Sequence, residues 1–408
     1  MVMKLTDSEL GRALLSLRGY QWLRGIHHDP YALLLRAESD DPAQLGRLLR
    51  ERGRLHRSDT GTWVTADHAT ASRLLADPRF VLRRPPAGPA TGTGDVMPWE
   101  EATLSDLLPL DEARLTTDRA RCRRLGATAA RIAADGPVAT RLADLAGARA
   151  EQVRSTGHFD LRADYALPYA VEAACALLGL PAGQCSLFGA FSPAVLLDAT
   201  VVPPRLPEAR ALIASTAELT ALWPRLAPSL SKTVPEDEAP DLFLLTAVLL
   251  VPAVVHLVCE AVAALSHDPG QAGLLRDDPV LAAPAVEETL RHAPPARLFT
   301  LHATGPERVA DVDLPAGAEV AVVVAAAHRD PSWCPDPDRF DLTRNERHLA
   351  LPPDLPLGAL APLLRVCATA AVAALAAGLL PLRAVGPPVR RLRAPVTRSV
   401  LRFPVAPC

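Results

Sequence analysis

The chain has 408 residues and a mass of 43.4 kDa, with 49% hydrophobic and 22% charged residues. That is enough apolar material for a large packed core and excludes a globally disordered chain. Its 43 basic and 46 acidic residues leave a net charge of −3 and a pI near 6.4, so no bulk charge draws it to nucleic acid or anionic lipid. Lysine occurs only at Lys4 and Lys232. Arginine dominance beside 40 prolines reads as GC-rich coding, not as an arginine patch. The cysteines at 122, 175, 185, 259, 334, 367 and 408 form no C-x-x-C pair, which predicts reduced thiols in a cytoplasmic protein. The polar first residues carry no signal-peptide pattern, and no membrane association is expected.

In chain order, Thr6 and Glu9 have capping-box spacing, and Leu10, Ala13, Leu14 and Leu17 follow at helical intervals. Tyr20, Trp22 and Ile26 extend that apolar character to His27-His28-Asp29-Pro30. Short helices are predicted at Tyr31–Arg36 and Ala43–Arg52, then a strand at Gly61–Thr65 and a helix capped by Asp67. Residues 85–97, rich in proline and glycine, predict a loop, and their lone G-x-G is no phosphate cradle. Helical patterning runs from Asp111 to about Thr156, broken at Asp135-Gly136-Pro137, and again from Phe159 to Leu180. The prolines of 203–240 predict loops between short helices. Leu242 to Cys259 is 18 residues without a formal charge, at the lower edge of a membrane span. With Pro252, His256 and Glu260 and no basic flank, a buried central helix from about Asp241 to Ser266 is the better reading. Val366–Leu382, Ala-rich and broken by Gly378 and Pro381, is likewise read as buried helix. Leu274–His292 is helical, and strands are expected at Leu298–Ala303, Val309–Leu314 and Glu319–Ala326, with a turn at Pro315-Ala-Gly317. A last helix, Leu357–Leu380, precedes a Pro/Arg-rich tail. No clean linker divides the chain, so a single domain over 1–408, mainly α with small β-sheets, is expected.

Several of these segments carry motifs. Glu287-Glu288-Thr-Leu-Arg291 matches an E-x-x-R helix, and Ala326-Ala327-His328-Arg329-Asp330-Pro331 followed by Pro335-Asp-Pro-Asp-Arg339-Phe340 resembles A-A-N-R-D-P…P-D-P-x-R-F. Asp118-Arg119-Ala-Arg-Cys-Arg123-Arg124-Leu125 is similar to H-T-R-L-R-R-L. In this order, over about residues 30–405, the chain resembles the cytochrome P-450 enzymes. The resemblance implies their fold, and a buried charge network of Glu288, Arg291 and Arg339. It also exposes departures. The family's haem-ligand segment F-G-x-G-x-H-x-C-x-G corresponds to His348–Ala359, about two residues short and without cysteine. The thiolate that drives O–O cleavage therefore has no counterpart. Cys334 and Cys367, the nearest thiols, read as core residues. The family's proton-delivering A-G-x-E/D-T becomes Leu249-Leu250-Val251-Pro252-Ala253, and Arg119 stands in place of a propionate-binding His, with Arg123 retained.

Among haem-free relatives, the segments Leu10-Gly11-Arg12…Arg18-Gly19…Trp22…Asp29-Pro30-Tyr31 and Pro388-Val389-Arg390-Arg391-Leu-Arg393-Ala-Pro395-Val396 resemble the P-450-like activator proteins paired with deoxysugar glycosyltransferases in antibiotic biosynthesis. What this implies is a non-catalytic, haem-free partner of a glycosyltransferase, with no catalytic, cofactor or metal site of its own. The segment Leu14, Leu17, Arg18, Tyr20, Trp22 and Arg24 supplies anchors and a charged rim for such a contact. The alternatives are a small-molecule binding protein or a haem-free enzyme that uses the emptied pocket, and a haem protein with His348 as ligand. His256 and His292, lone residues in apolar helices, read as core histidines.

Overall fold

The computed structural model describes residues 5–38, 41–85, 103–180, 194–230 and 234–407. The loop expected at 85–97 lies outside these from residue 86 onward, as do Cys185 and Cys408. The first helix, α1 (Asp7–Ile26), starts on the expected capping box: Thr6 Oγ1 accepts from Glu9 N at 3.3 Å, and Glu9 Oε2 accepts from Thr6 N at 2.8 Å. Helices α2 (Pro30–Arg36), α3 (Pro42–Glu51) and α4 (His68–Ala76) follow, each opened by an aspartate whose side chain accepts from a first-turn N–H. Next come α5 (Arg119–Ala133), α6 (Gly136–Arg154), α7 (Leu167–Leu177), α8 (Leu206–Leu230), α9 (Ala239–His267), α10 (Pro269–Asp277), α11 (Ala282–His292) and α12 (Ala361–Gly378).

A five-stranded sheet has the order β1 (His56–Arg57), β2 (Trp63–Thr65), β8 (Glu319–Val322), β5 (Phe299–Ala303), β3 (Phe80–Val81). Strands β2 and β8 are parallel, with Trp63 opposite Val320, and the other pairs are antiparallel. Smaller sheets join β4 (Phe159–Asp160), β12 (Pro404–Pro407) and β9 (Leu382–Ala384), and pair β10 (Val389–Arg390) with β11 (Val400–Arg402). The fold is thus mainly helical with small sheets, as the sequence predicts.

Four expectations need correction, the first being that the strand expected at Glu319–Ala326 ends at Val322, with Val324–Ala327 helical. Residues 206–230 form one helix instead of loops, because Pro207 sits in its first turn, where no N–H is needed. Leu212, Leu219 and Leu226 give it a buried stripe at helical spacing, which outweighs the interior Pro224. Val309–Leu314 is a hairpin, β6 (Glu307–Val309) with β7 (Val312–Leu314), turned by Ala310 and Asp311, both at positive φ. Leu274–His292 is split by a short 3₁₀ turn at Pro279–Leu281 into the end of α10 and α11.

Among the described residues, two helices, α9 and α12, are long and apolar enough to cross a membrane by length and composition. The apolar window of α9 is 94% buried, packed on α7, α11 and α12. A π-helical turn at Thr246–Leu250 precedes Pro252, which has no N–H to offer the preceding turn.

The central polar cluster ties α11 to the segment after β8. Arg291 is 1% exposed and binds Glu288 twice, Nε to Oε2 at 2.8 Å and Nη2 to Oε1 at 2.7 Å. It also donates to the carbonyls of Pro337 at 2.8 Å and Arg339 at 2.9 Å. Asp341 N donates to Glu288 Oε1 at 3.0 Å. The Arg339 side chain is not in this cluster: it is 60% exposed and reaches only Asp341, at 3.9 Å. Arg344 takes the interior place, 9% exposed, with Nε 3.5 Å from Glu288 Oε1 and Nη1 donating to Pro335 O at 2.9 Å. The chain turns at Asp336, whose φ is +44°, and this turn presents the Arg339 carbonyl, not its guanidinium, to Arg291. His328 extends the cluster. Its Nε2 accepts from Leu349 N at 2.7 Å, so Nδ1 carries the hydrogen donated to Arg291 O at 2.8 Å. A neutral ring is therefore required, and burial holds its pKa well below the usual histidine range.

The cluster sets two expected outcomes. Arg291→Ala or Glu288→Ala strands a buried charge, at a cost of about 3–5 kcal/mol, and should lower the melting temperature by several degrees. Arg339→Ala should leave it within about 1 °C, as for an exposed ion pair; equal losses in a melting series would refute the placement of Arg344. Burial also lowers the pKa of His256 and His302, and that of His292 to about 4. Unfolded histidine titrates at about 6.5, so below that pH the unfolded chain binds more protons than the folded one. Stability from these rings is complete above about 6.5 and lost as pH falls through the folded values. Melting curves should therefore shift down between pH 7 and 5, and a flat profile would contradict neutral burial.

Candidate functional site

The two segments that correspond to the resembled family's cofactor-facing motifs, on α9 and at 348–359, border one cavity through Leu249, Pro356 and Leu357. On α9, Leu249, Leu250, Val251 and Ala253 are buried and carry no acid or hydroxyl. In the second segment a short helix, Pro356–Ala359, packs on α5, with Ala359 close to Gly126. The backbone folds back so tightly that a Cβ on Gly358 would lie 1.7 Å from Pro352 O, so only glycine fits there.

Arg119, on the first turn of α5, is 8% exposed. Its Nη1 meets Asp354 Oδ2 at 2.9 Å, and its other donors go to Phe80 O at 2.8 and 3.0 Å and Leu75 O at 2.9 Å. The guanidinium is thus satisfied from within the chain, while Arg123 is exposed. His348 is also fully used: Ala350 N donates to Nδ1 at 3.2 Å, leaving Nε2 to donate to Glu287 Oε2 at 3.1 Å. Burial pulls Glu287 upward, but the bonds from His348 and from Arg365, Nε at 2.6 Å, hold it at about 2. Cys367 lies in α12 with its thiol pushed up to about 12 by burial, and the buried Cys334 sulfur accepts from Arg344 Nη1 at 3.0 Å. Among the described residues, no cluster of three or more His, Cys, Asp or Glu is arranged to hold a metal ion.

Beside these elements lies a cavity of about 340 Å³ bordered by Leu249 and Leu357. Its polar wall comes from Tyr31, Thr300, His302 and Glu319. Among the described residues, His302 Nδ1 is buried there without a hydrogen-bond partner. Sequence reasoning missed this wall because His302 and Glu319 become neighbours only through the β5–β8 register.

The N-terminal anchors divide between two faces of α1. Leu14 is 1% exposed and belongs to the core with Leu10, which removes it from any contact surface. Leu17 is half-buried and lines the cavity, and Arg18 is half-buried with Nη2 donating to Pro203 O at 3.2 Å. Tyr20 and Trp22 are 48% and 49% exposed, and Arg24 stacks over the Tyr20 ring at 4.9 Å. Leu15 and Leu23, overlooked in the sequence, are 66% and 58% exposed. Spacing of i, i+7 and i+8 puts Leu15, Trp22 and Leu23 on one outward stripe, opposite the buried Leu10 and Leu14.

The family model for cytochrome P-450 matches residues 278–348. Protein AknT of Streptomyces galilaeus is 40% identical, covering 98% of this chain and 96% of its own. The cytochrome P-450 family protein EryCII of Saccharopolyspora erythraea is 35% identical over 99% of both chains. Among solved structures, CalO2 shares the fold with a TM-score of 0.73, at 23% identity over 90% of this chain and 96% of that one. With full-length relatives well above 30% identity, the chain belongs to the cytochrome P-450 family, in its group of P-450-like auxiliary proteins of antibiotic biosynthesis.

Proposed function

We propose that this chain is a haem-free, non-catalytic protein of the cytoplasm that binds a nucleotide-deoxysugar glycosyltransferase of antibiotic biosynthesis and holds it in its active conformation. The observation that carries the reading is the closure of the cofactor side: Asp354 occupies Arg119, and Gly358 packs on Pro352. The residues present do not fit a thiolate-bound haem. The two nearest thiols are buried and protonated or already engaged, both His348 nitrogens are committed, and α9 offers no group to relay protons. A protein of this kind acts as a ligand: by binding one state of a marginally stable enzyme it raises that state's population. The exposed surface of α1 carries Trp22 and Tyr20, residue types that commonly carry interface energy. A second reading, a small-molecule binding protein, draws on His302 Nδ1, which lacks a partner among the described residues, in the 340 Å³ cavity.

Titration of the purified chain with haemin should give no saturable one-to-one Soret shift, and a defined complex would refute the haem-free reading. Co-expression with a deoxysugar glycosyltransferase of the same biosynthetic gene set, then pull-down and sugar-transfer assay, tests the partner. Tyr20→Ala with Trp22→Ala should reduce capture and activation at least tenfold while leaving the melting curve nearly unchanged. Unimpaired activation by this double variant would remove α1 from the contact.

A further inference from the structure

The arginine-rich tail and the N-terminal helix, far apart in sequence, meet along one open cleft of about 830 Å³. Arg393 N donates to Ala37 O at 3.0 Å, and Arg393 Nη2 meets Glu38 Oε1 at 3.0 Å, which joins the β10–β11 hairpin to the end of α2. Beneath the hairpin, the buried Asp198 accepts from Val396 N at 2.8 Å, Thr397 N at 3.0 Å and Thr397 Oγ1 at 2.7 Å, which fixes its position.

The cleft lining carries six arginines against three carboxylates. Arg390 is engaged by Glu260, and Arg393 by Glu38. Arg391 lies 3.9 Å from Glu208 and Arg36 lies 3.6 Å from Glu38; among the described residues, the buried Nε of each has no hydrogen-bond partner. Among the described residues, Arg18 and Arg205 enter no ion pair, and Arg205 is exposed. Burial and the nearby charges of Arg393 and Arg205 lower the pKa of Arg18, so these guanidiniums repel one another across the cleft. Interleaved with them are Trp22, Leu392 and Leu401, at 49%, 70% and 43% exposure. Six of the chain's 41 arginines thus line one cleft.

We propose that this cleft docks an acidic, leucine-bearing polypeptide segment of the partner protein, with its carboxylates on Arg18, Arg205 and Arg391 and its apolar side chains against Trp22, Leu392 and Leu401. The inference rests on the proposed function, which makes the partner a protein. Guanidinium forks suit carboxylates, and the unmet donors supply the complementary charge. Exposed leucines beside them suit a peptide better than a small anion, which has no use for apolar anchors.

The test uses the full chain and the peptide acetyl-Asp-Glu-Leu-Asp-Leu-Glu-amide in isothermal titration calorimetry. Binding at 50 mM NaCl, weakened at least tenfold at 500 mM and at least tenfold by Arg205→Glu with Arg391→Gln, is the expected result. Leu392→Asp, at a site 70% exposed and so without risk to folding, should weaken it similarly. No binding to the wild type, equal binding to the variants, or saturable binding of UDP or inorganic phosphate in place of the peptide would overturn the proposal. Pull-down separates it from its parent reading. A glycosyltransferase captured equally by wild type and Leu392→Asp overturns the cleft but keeps the partner. Peptide binding without capture of any glycosyltransferase keeps the cleft and removes that partner.

Discussion

A carboxylate buried in an apolar interior needs a partner that stays charged at every accessible pH, and Glu288 has one in Arg291. The rest of the structure is arranged around that requirement. The guanidinium has more donors than Glu288 can accept, and the surplus goes to the carbonyls of Pro337 and Arg339, which pins an irregular segment that has no ladder of its own. His328 passes the constraint onward, joining the Arg291 carbonyl to Leu349 N and so fixing where the following loop starts. A buried ion pair adds little net stability over a well-packed apolar one, but it specifies a single geometry. Here the geometry it specifies is that of a loop which, in the resembled enzymes, exists to present a metal ligand.

The groups around that geometry are paired within the chain. Arg119 and His348 occupy positions that matter to cofactor binding in the resembled family, yet each now finds its partner within the chain. The central helix α9 is apolar through the stretch where proton relay would be needed, and its π-turn accommodates Pro252. Polarity has moved outward, to the cleft between α1, α2 and the β10–β11 hairpin, where guanidiniums have unmet donors. Charged groups beside α9 and the 348–359 segment are paired within the chain, while the cleft keeps arginines without an ion-pair partner among the described residues, an arrangement suited to recognition of another molecule.

Much of this was legible in the sequence, and the exceptions have physical causes. Capping signals act over three residues, so Thr6 and Asp67 could be read directly. The buried nature of α9 was readable from Pro252, His256 and the missing basic flank. What failed was anything that depends on which way a chain turns. Arg339 and Arg344 lie five residues apart after the same motif, and only the positive φ at Asp336 decides which one enters the interior. On α1 both faces are apolar, so spacing alone could not tell the core residue Leu14 from the exposed Leu15 and Leu23. The prolines of α8 were overruled by its leucine stripe, and Ala310-Asp311 makes a turn with residues that rarely take positive φ.

The contact of Gly358 with Pro352 carries a consequence for how such a protein can change. On the proposed haem-free reading, an iron ligand here would need a longer loop, a thiol within it, and Arg119 freed from Asp354. Each step taken alone opens packing or strands a charge, and none alone yields a ligand. The surface, by contrast, can vary one exposed side chain at a time. On the proposed haem-free reading, change is therefore unequal across the molecule: exposed side chains of the cleft can vary one at a time, while this loop can be remade only by several changes together.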